Sequence, residues 1–236
     1  MSTLDQPVKI DYYSDILCVW AYVAQMRLDE LKHHFGDSVH IHYHFMPVFG
    51  ATQQRIAEGM KEKGGFAFIN KHICEVCGDF PHVDINPEVW LKSQPQSSSQ
   101  THLFIKAVQL LAAQDAAGSR GNSDYFGRSA VEEFVWRIRL SFFRDGEDIS
   151  DWSLLYRIAE PLGFNREQIE PLLTKGEAMA ALCIDKELCE KNRVEGSPTF
   201  ILNEGRQKLY GNVGYKILES NVHEVINRPY NQASWC

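Results

Sequence analysis

The sequence predicts an α/β protein in which one mixed sheet is interrupted by a large, all-helical insertion. Apolar and polar residues alternate over residues 8–13 and again over residues 39–45, as they do in half-buried strands. From about residue 51 to residue 178 the apolar residues instead recur at helical spacing. Strand-like sequence returns at residues 199–202, and a last helix is predicted over residues 215–227. This order predicts that strands from both ends of the chain meet in one sheet.

The first part of the chain is predicted to form a strand–helix–strand unit. The helix between the two strands carries Ala24, Leu28, Leu31 and Phe35 on one face, and Gly36 follows where a left-handed cap would stand. A helical connection of this length favours parallel pairing of the two strands, with a right-handed crossover.

The insertion is predicted from three apolar stripes at helical spacing, over residues 103–111, 131–138 and 154–162. Residues 78–100 contain several prolines and serines and lack a convincing period, so a long connection is predicted there.

After a further helix, the turn-forming residues 203–205 join the strand at 199–202 to another at 207–210, which predicts an antiparallel hairpin. The chain is therefore predicted to consist of a discontinuous sheet domain, residues 1–50 and 179–236, and a helical insertion domain, residues 51–178.

The composition is that of an ordinary globular protein, with 44% hydrophobic and 23% charged residues among 236. A net charge of −7 argues against nucleic-acid or anionic-membrane binding, because both require a positive surface. Residues 1–7 lack the basic and apolar parts of a secretory leader, and no apolar run of membrane length follows. A cytoplasmic location is expected.

The cysteines are too sparse in a chain of this length for a disulfide scaffold, and a reducing compartment would keep most of them as thiols. There are six: Cys18, Cys74, Cys77, Cys183, Cys189 and Cys236. A cysteine with a role is therefore expected to be reactive or metal-binding.

Cys18 is the principal candidate, because it opens the first predicted helix directly after the first strand. Unpaired N–H groups and the helix dipole favour an anion at a helix N-terminus, so a lowered pKa is expected for this thiol. Position 21, where a Cys-x-x-Cys pair would carry its second sulfur, is Ala21.

The element order, with Cys18 at the first helix and the segment Gly196-Ser197-Pro198 entering the third strand, resembles the thioredoxin fold with the helical insertion of the DsbA family. The resemblance implies a mixed four-stranded sheet. It is closest to the FrnE-like and 2-hydroxychromene-2-carboxylate isomerase-like branch, which includes kappa-class glutathione transferases.

Two short motifs carry the resemblance. The FrnE-like motif Ser-Asp-x-x-Cys-Pro-Trp-Cys-Tyr is matched except at Val19 and Ala21. The second motif is Pro198-Thr199-Phe200, which follows Ser197. In the family, the proline of this motif is cis, and the backbone of its neighbour pairs with an extended substrate or glutathione. The resemblance thus implies Cys18 as the catalytic residue, and it implies a set of residues that bind substrate or glutathione: Ser14, Asp15, Trp20, Ala21, Tyr22, Ser197, Pro198 and Thr199.

The residue Ala21 limits the reactions that can be expected. A dithiol enzyme resolves its mixed disulfide by attack of a second cysteine, and Ala21 has no thiol that could do this. We expect a thiol-disulfide oxidoreductase or disulfide isomerase that acts through Cys18 alone on a thiol or disulfide substrate, peptide or small molecule. Glutathione is the expected co-substrate, with no covalently bound cofactor. Two alternatives remain open: a glutathione-dependent transferase or isomerase acting on a small electrophile, and a non-catalytic binding module. A homodimer also remains open.

Two further clusters contain candidate redox or metal-binding residues. Cys74 and Cys77 form a Cys-x-x-Cys in the insertion that could be an auxiliary redox pair, a zinc site together with His72 and His82, or a pair of inert thiols. The inert interpretation carries the most weight, and no metal site is predicted. His40, His42 and His44 share one strand face, where imidazoles bonded to their neighbours are expected rather than a metal centre.

Overall fold

The computed structural model describes residues 7–114, 127–228 and 233–234. The outermost residues of the predicted sheet domain, Cys236 among them, lie outside the described residues. The sheet consists of β1 (Val8–Ser14), β2 (Val39–Phe45), β3 (Thr199–Leu202) and β4 (Gln207–Tyr210). Its order is β2-β1-β3-β4. β1 pairs with β2 in parallel and with β3 antiparallel, and β3 pairs antiparallel with β4, so the predicted mixed sheet is confirmed.

The helices of the described chain are α1 (Val19–Phe35), α2 (Phe66–Gly78), α3 (Val89–Lys92), α4 (Ser99–Gln114), α5 (Ala130–Phe143), α6 (Trp152–Ala159), α7 (Arg166–Thr174), α8 (Glu177–Lys191) and α9 (Tyr215–Asn227). A π-helical segment, Gln53–Glu58, precedes α2. Helices α2 to α7 lie between β2 and α8, within the predicted insertion. The domain boundaries themselves stay a prediction. No helix in this part of the chain combines the length and apolarity needed to cross a membrane.

The prediction of a long connection over residues 78–100 is corrected in part. Helix α3 forms within it, and α4 begins at Ser99. The short helix forms because its side chains Val89 and Trp90 are fully buried in the hydrophobic core. Burial of a tryptophan supplies the stabilisation that local periodicity does not reveal.

Helix α1 lies between two hydrophobic cores. Leu28 and Leu31 pack with the sheet and α9, in a cluster that includes Leu218 and Val222. Near its start, α1 instead contributes to a larger cluster formed mostly by the insertion helices. Because both faces of α1 are packed, the residue at its N-terminus is held in a fixed position relative to the sheet.

A buried charged cluster joins the sheet to helices α4 and α8. His44 on β2 lies between two carboxylates, with Nε2 2.9 Å from Asp11 and Nδ1 2.9 Å from Asp185. Asp185 also accepts hydrogen bonds from the Lys106 ammonium at 2.7 Å and from the Phe45 backbone N–H at 2.8 Å. The expectation that imidazoles on this strand face are bonded to neighbours is therefore confirmed for His44, whereas His40 and His42 are exposed.

This cluster makes the stability of the protein depend on pH. Burial opposes ionisation of His44, but the hydrogen bonds and charges of Asp11 and Asp185 outweigh it and raise its pKa. A raised pKa contributes stability that is fully present below the unfolded value of about 6.5 and is lost as the pH rises through the folded value. Both carboxylates have lowered pKa values, despite burial, because of their cationic partners. Their contribution is present above an unfolded pKa of about 4 and is lost as the pH falls through the folded values.

We therefore expect the difference in free energy of unfolding between the wild type and His44→Gln to be largest near pH 5.5 and to shrink as the pH rises. At this pH, which lies between the unfolded pKa values of about 4 for the carboxylates and about 6.5 for histidine, both contributions are present. Urea unfolding at several pH values from about 5.5 to 9 measures it. If the free energies of unfolding of the two proteins changed with pH in parallel, the result would contradict the assigned role of His44.

Candidate active site

Cys18 lies at the junction between the end of β1 and the start of α1. It is the N-cap residue of α1, and its carbonyl accepts hydrogen bonds from the N–H groups of Ala21 and Tyr22, each at 3.1 Å. Its own N–H donates to the Asp15 carbonyl at 3.1 Å, which closes the turn between strand and helix. The thiol is thereby fixed at the head of the helix.

Asp15 holds this turn in place. Its carboxylate is fully buried and accepts hydrogen bonds from the N–H groups of Leu17 and Phe49, both at 2.8 Å, and from the Ser98 hydroxyl at 2.7 Å. The three donors come from the turn itself, from the chain after β2, and from the start of the segment leading into α4. One side chain thus joins the strand–helix turn to the insertion.

The loop before β3 forms the opposite wall. The Cys18 S–H donates to the Ser197 carbonyl, with Sγ 3.3 Å from the oxygen, and the Ser197–Pro198 peptide bond is cis. The Ser197 hydroxyl accepts the Asp15 N–H at 2.9 Å, so the loop is bonded to the turn at two points. Tyr210 on β4 packs against this loop: a Cβ on Gly196 would lie 2.6 Å from its hydroxyl oxygen.

The sequence matches the DSBA-like thioredoxin domain family over residues 9–223. The chain belongs to this family. No curated protein matches the sequence significantly.

Solved structures show the same fold at low sequence identity. A candidate protein disulfide isomerase from Nitrosomonas europaea has a TM-score of 0.70 and 13% identity, covering 94% of this chain and 99% of that one. The cytosolic disulfide reductase DsbM from Pseudomonas aeruginosa, solved with GSH, has a TM-score of 0.59 and 16% identity, covering 91% and 99%. A 2-hydroxychromene-2-carboxylate isomerase has a TM-score of 0.58 and 17% identity, covering 96% and 100%.

The state of the thiol in this DsbA-like protein differs from the sequence expectation. Cys18 is only 6% exposed, and burial raises the pKa of its thiol. A hydrogen bond from Ser197 and the backbone N–H groups of Ala21 and Trp20 act to lower the pKa, while the negative charge of Asp15 raises it; the net direction is upward. The expected effect of the helix N-terminus is therefore present, but desolvation outweighs it.

A slow reaction of Cys18 with alkylating agents follows from this burial. At pH 7 a thiol with a pKa above about 8.5 is ionised to a few per cent at most, and only the thiolate reacts. We expect iodoacetamide to modify Cys18 more slowly than the exposed Cys183 at pH 7, with the rate at Cys18 increasing as the pH is raised. Peptide mapping by mass spectrometry measures both sites, and faster modification of Cys18 at pH 7 would contradict the buried neutral thiol.

Most of the residues implied as binding residues do not reach the surface of this DsbA-like protein. Trp20 and Ser197 are half-buried, and the others are buried: Ser14, Asp15, Ala21, Tyr22, Pro198 and Thr199. These six side chains are packed inside the protein, and a direct part for them in binding substrate or glutathione stays a prediction. Thr199, for example, donates its hydroxyl proton to the Gly196 carbonyl at 2.7 Å and so shapes the loop.

The two aromatic residues that follow Cys18, Trp20 and Tyr22, have different environments. Tyr22 belongs to the core, where its ring stacks on Trp136 and Phe143 at centroid distances of 5.3 and 4.6 Å and its hydroxyl donates to the Asp84 carbonyl. Trp20 makes an edge contact with Phe80 at 6.3 Å and keeps part of its surface accessible. Of these two rings, only that of Trp20 keeps surface that a ligand could contact.

Cys74 and Cys77 lie on α2, which no strand directly precedes along the chain, and both are free thiols. Burial, followed by the proximity of Cys74, raises the pKa of Cys77 to about 12, which disfavours the reactive thiolate. Within residues 7–114 and 127–228, no three His, Cys, Asp or Glu side chains are arranged to hold a metal ion. A redox role for this pair stays a prediction.

Sequence reasoning missed two buried polar residues near the turn. His102 on α4 accepts the Ile16 N–H at 3.0 Å, and Arg139 on α5 donates to the Ser14 hydroxyl at 3.1 Å. The signal for Arg139 is its position on the apolar face of α5, four residues after Val135 and three before Phe142. A charged residue on a buried stripe marks a buried polar contact.

Proposed function

We propose that this protein is a glutathione-coupled thiol-disulfide oxidoreductase that acts through Cys18 alone. The observation that carries the proposal is the Cys18 thiol at the head of α1, hydrogen-bonded at 3.3 Å to the carbonyl of the half-buried Ser197. The backbone N–H of Ser197 has no hydrogen-bond partner in the described chain. Ser197 therefore offers a donor and an acceptor beside the sulfur, the two groups that an extended peptide backbone requires.

In the first step Cys18 loses its proton to solvent, and the thiolate attacks one sulfur of the substrate disulfide. A bond forms between Cys18 and that sulfur while the substrate S–S bond breaks, and the other sulfur leaves as a thiolate that takes up a proton. Binding of a substrate N–H at the Ser197 carbonyl would compete with the Cys18 S–H for the same acceptor. The thiol is thereby released where the disulfide is bound.

The mixed disulfide must then be resolved from outside, because residue 21 is Ala21. A glutathione thiolate attacks the substrate sulfur, which restores Cys18 and leaves a glutathione–substrate disulfide. A second glutathione converts this to glutathione disulfide and the free substrate thiol. Overall, two glutathione thiols are oxidised and one substrate disulfide is reduced. The likeness in fold to the disulfide reductase solved with GSH supports this coupling.

Incubation with glutathione disulfide tests the proposal. Peptide mapping is expected to find a glutathione adduct on Cys18, at pH 7 and more rapidly at pH 9, and none in that peptide after Cys18→Ser. The background variant Cys183→Ser removes an exposed competing thiol and should leave the Cys18 adduct unchanged. Reduced glutathione should then remove the adduct. The absence of any Cys18 adduct at pH 9 would rule out exchange chemistry.

A second candidate function is favoured by the neutral state of the thiol. Because Cys18 donates its S–H to Ser197 in the same way as a hydroxyl would, it could hold glutathione non-covalently for transferase or isomerase chemistry on a small electrophile. The fold shared with 2-hydroxychromene-2-carboxylate isomerase supports this alternative. Calorimetric binding of S-methylglutathione without a Cys18 adduct would favour it, and binding with no turnover of an electrophile would leave a binding module.

A further inference from the structure

Arg27 on α1 is a half-buried cation of which only one nitrogen is engaged. Its Nη1 donates to the Asn212 side-chain carbonyl at 2.7 Å and to the Val213 backbone carbonyl at 3.0 Å. Within the described residues, Nε and Nη2 make no hydrogen bond, and neither nitrogen is sealed from solvent. Three N–H donors, one on Nε and two on Nη2, therefore stay available beyond the contacts of that part of the chain.

The charge of Arg27 has no carboxylate partner in the chain as far as the structure describes it, since both of its acceptors are neutral. Other arginines do pair with carboxylates: Arg128, Arg137, Arg144, Arg157, Arg166 and Arg206. Partial burial also lowers the pKa of Arg27, because it removes water from the cation. A partly desolvated guanidinium attracts an anion more strongly than a fully hydrated one does.

An aromatic surface leads from Cys18 to Arg27. Trp20, two positions after Cys18, meets the ring of Phe80 at a centroid distance of 6.3 Å, and the Arg27 guanidinium carbon lies 5.8 Å from the centroid of the same ring. Trp20 and Arg27 are two helical turns apart on α1, so they share one face of the helix. Trp20, Phe80 and Arg27 are all half-buried, and together they form a partly exposed surface that begins beside the thiol.

The loop after β4 joins Arg27 to the opposite wall of the site. In this loop the Gly211 N–H donates to the Pro198 carbonyl at 2.9 Å, and the next two residues carry the two acceptors of Arg27. Pro198 follows Ser197, whose carbonyl oxygen lies 3.3 Å from Cys18 Sγ. Direct contacts therefore connect Arg27 to both walls of the Cys18 site.

The spacing of Arg27 and Cys18 suits a tripeptide. Arg27 follows Cys18 by nine positions, which at about 1.5 Å per residue puts their Cα atoms about 13–14 Å apart along α1. The arginine side chain leans toward the helix N-terminus, and so toward Cys18. Glutathione is a tripeptide with its sulfur on the middle residue and a carboxylate at each end, and three extended residues span about 10 Å. A carboxylate of glutathione bound at Cys18 can therefore reach the guanidinium.

We infer that Arg27 is a specificity-determining residue, whose Nε and Nη2 donors bind one carboxylate of glutathione when the sulfur of the tripeptide meets Cys18. The inference rests on the proposed function and deepens it by naming the group that recognises the co-substrate. Two parallel N–H donors of a planar guanidinium match the two oxygens of a carboxylate. Such a group offsets the net charge of −7, which otherwise repels an anionic ligand. In the alternative role, Arg27 only holds the loop after β4 against α1.

Two disulfides that differ in charge separate these roles. The rate of adduct formation at Cys18 is measured by peptide mapping at pH 8 in the Cys183→Ser background, with glutathione disulfide and with the uncharged 2-hydroxyethyl disulfide. Arg27→Gln keeps a donor for Asn212 but removes the charge. Its rate is expected to fall about fivefold with glutathione disulfide and to stay within about twofold of the parent rate with 2-hydroxyethyl disulfide.

Arg166→Gln is the matched control for this measurement. Arg166 is exposed on α7, and its guanidinium carbon likewise lies over an aromatic ring, 4.9 Å from the centroid of Tyr156. Removing this charge should leave both rates unchanged. If circular dichroism shows that Arg27→Gln does not fold, Arg27→Met replaces it, with the same expected change.

An unchanged rate with glutathione disulfide in Arg27→Gln would overturn the inference. Equal slowing with both disulfides would also overturn it, because the loss would then follow from a displaced loop. Failure of the proposed function is a separate result, in which Cys18 of the parent protein forms an adduct with neither disulfide. Calorimetric titration with S-methylglutathione then decides on Arg27: binding about fivefold weaker in Arg27→Gln supports the inference, whereas equal binding or none overturns it.

Discussion

Replacing Asp15 by alanine is expected to lower the free energy of unfolding by about 3–5 kcal/mol. The carboxylate is fully buried and accepts three hydrogen bonds, from the N–H groups of Leu17 and Phe49 and from the Ser98 hydroxyl. Its removal leaves these donors without an acceptor in a space that an alanine methyl does not fill. Each unpaired buried donor costs about 1–3 kcal/mol, so a loss of about 3–5 kcal/mol corresponds to the lower part of the range for three donors.

Asp148→Ala is the matched control for this prediction. Asp148 also accepts the N–H of the residue two positions later, from Ser150 at 3.0 Å, but it is exposed, so water can replace it. Urea unfolding of the two variants and the wild type measures the difference. Equal stability losses in Asp15→Ala and Asp148→Ala would show that Asp15 does not hold the turn.

Replacing Asp185 by alanine should produce a loss of similar size, about 3–5 kcal/mol, for a different reason. Asp185 is the counter-ion of Lys106, which is buried, and of His44, and it also accepts the Phe45 N–H. Without it, the Lys106 ammonium stays buried at 7% exposure with no counter-ion. Uncompensated buried charge, rather than lost packing, dominates the expected effect.

A double variant tests this reason directly. Replacement of a buried ion pair by apolar side chains is often close to neutral, whereas removal of one partner is costly. Lys106→Met combined with Asp185→Leu is therefore expected to recover more than half of the stability lost in Asp185→Ala. Additive losses in the double variant would mean that the Lys106–Asp185 contact contributes little, and that hydrogen bonding to His44 and Phe45 accounts for the effect.

Much of the fold could be predicted because its signals are local. Alternation in β1 and β2 and the turn at residues 203–205 each depend on a few neighbouring residues, and the structure confirms the elements they predict. Helix α1 also ends at Gly36 as predicted, but with φ 52° and ψ −130° this glycine does not adopt the predicted left-handed cap conformation. The short helix α3 could not be predicted in this way. Burial of Trp90, a long-range effect, stabilises it in a segment with no period of its own.

The candidate site could likewise be predicted only in part from the sequence. Its position, with Cys18 at the head of α1, and its single sulfur follow from the order of residues, since Ala21 occupies the place of a second thiol. The ionisation state of Cys18 does not follow, because two opposing effects act on it. The helix N-terminus is visible in the sequence, whereas the burial that outweighs it depends on how the insertion packs over α1.

The sequence by itself determined the mixed sheet, the helical insertion and one cysteine at the strand–helix junction, because these depend on short-range pattern. Only the tertiary structure decided which side chains surround that cysteine. Ser197, for example, accepts the Cys18 S–H from 179 positions along the chain. The pKa of a thiol depends on its distances to charged groups and on how far solvent is excluded, and the spacing of residues along the chain determines neither.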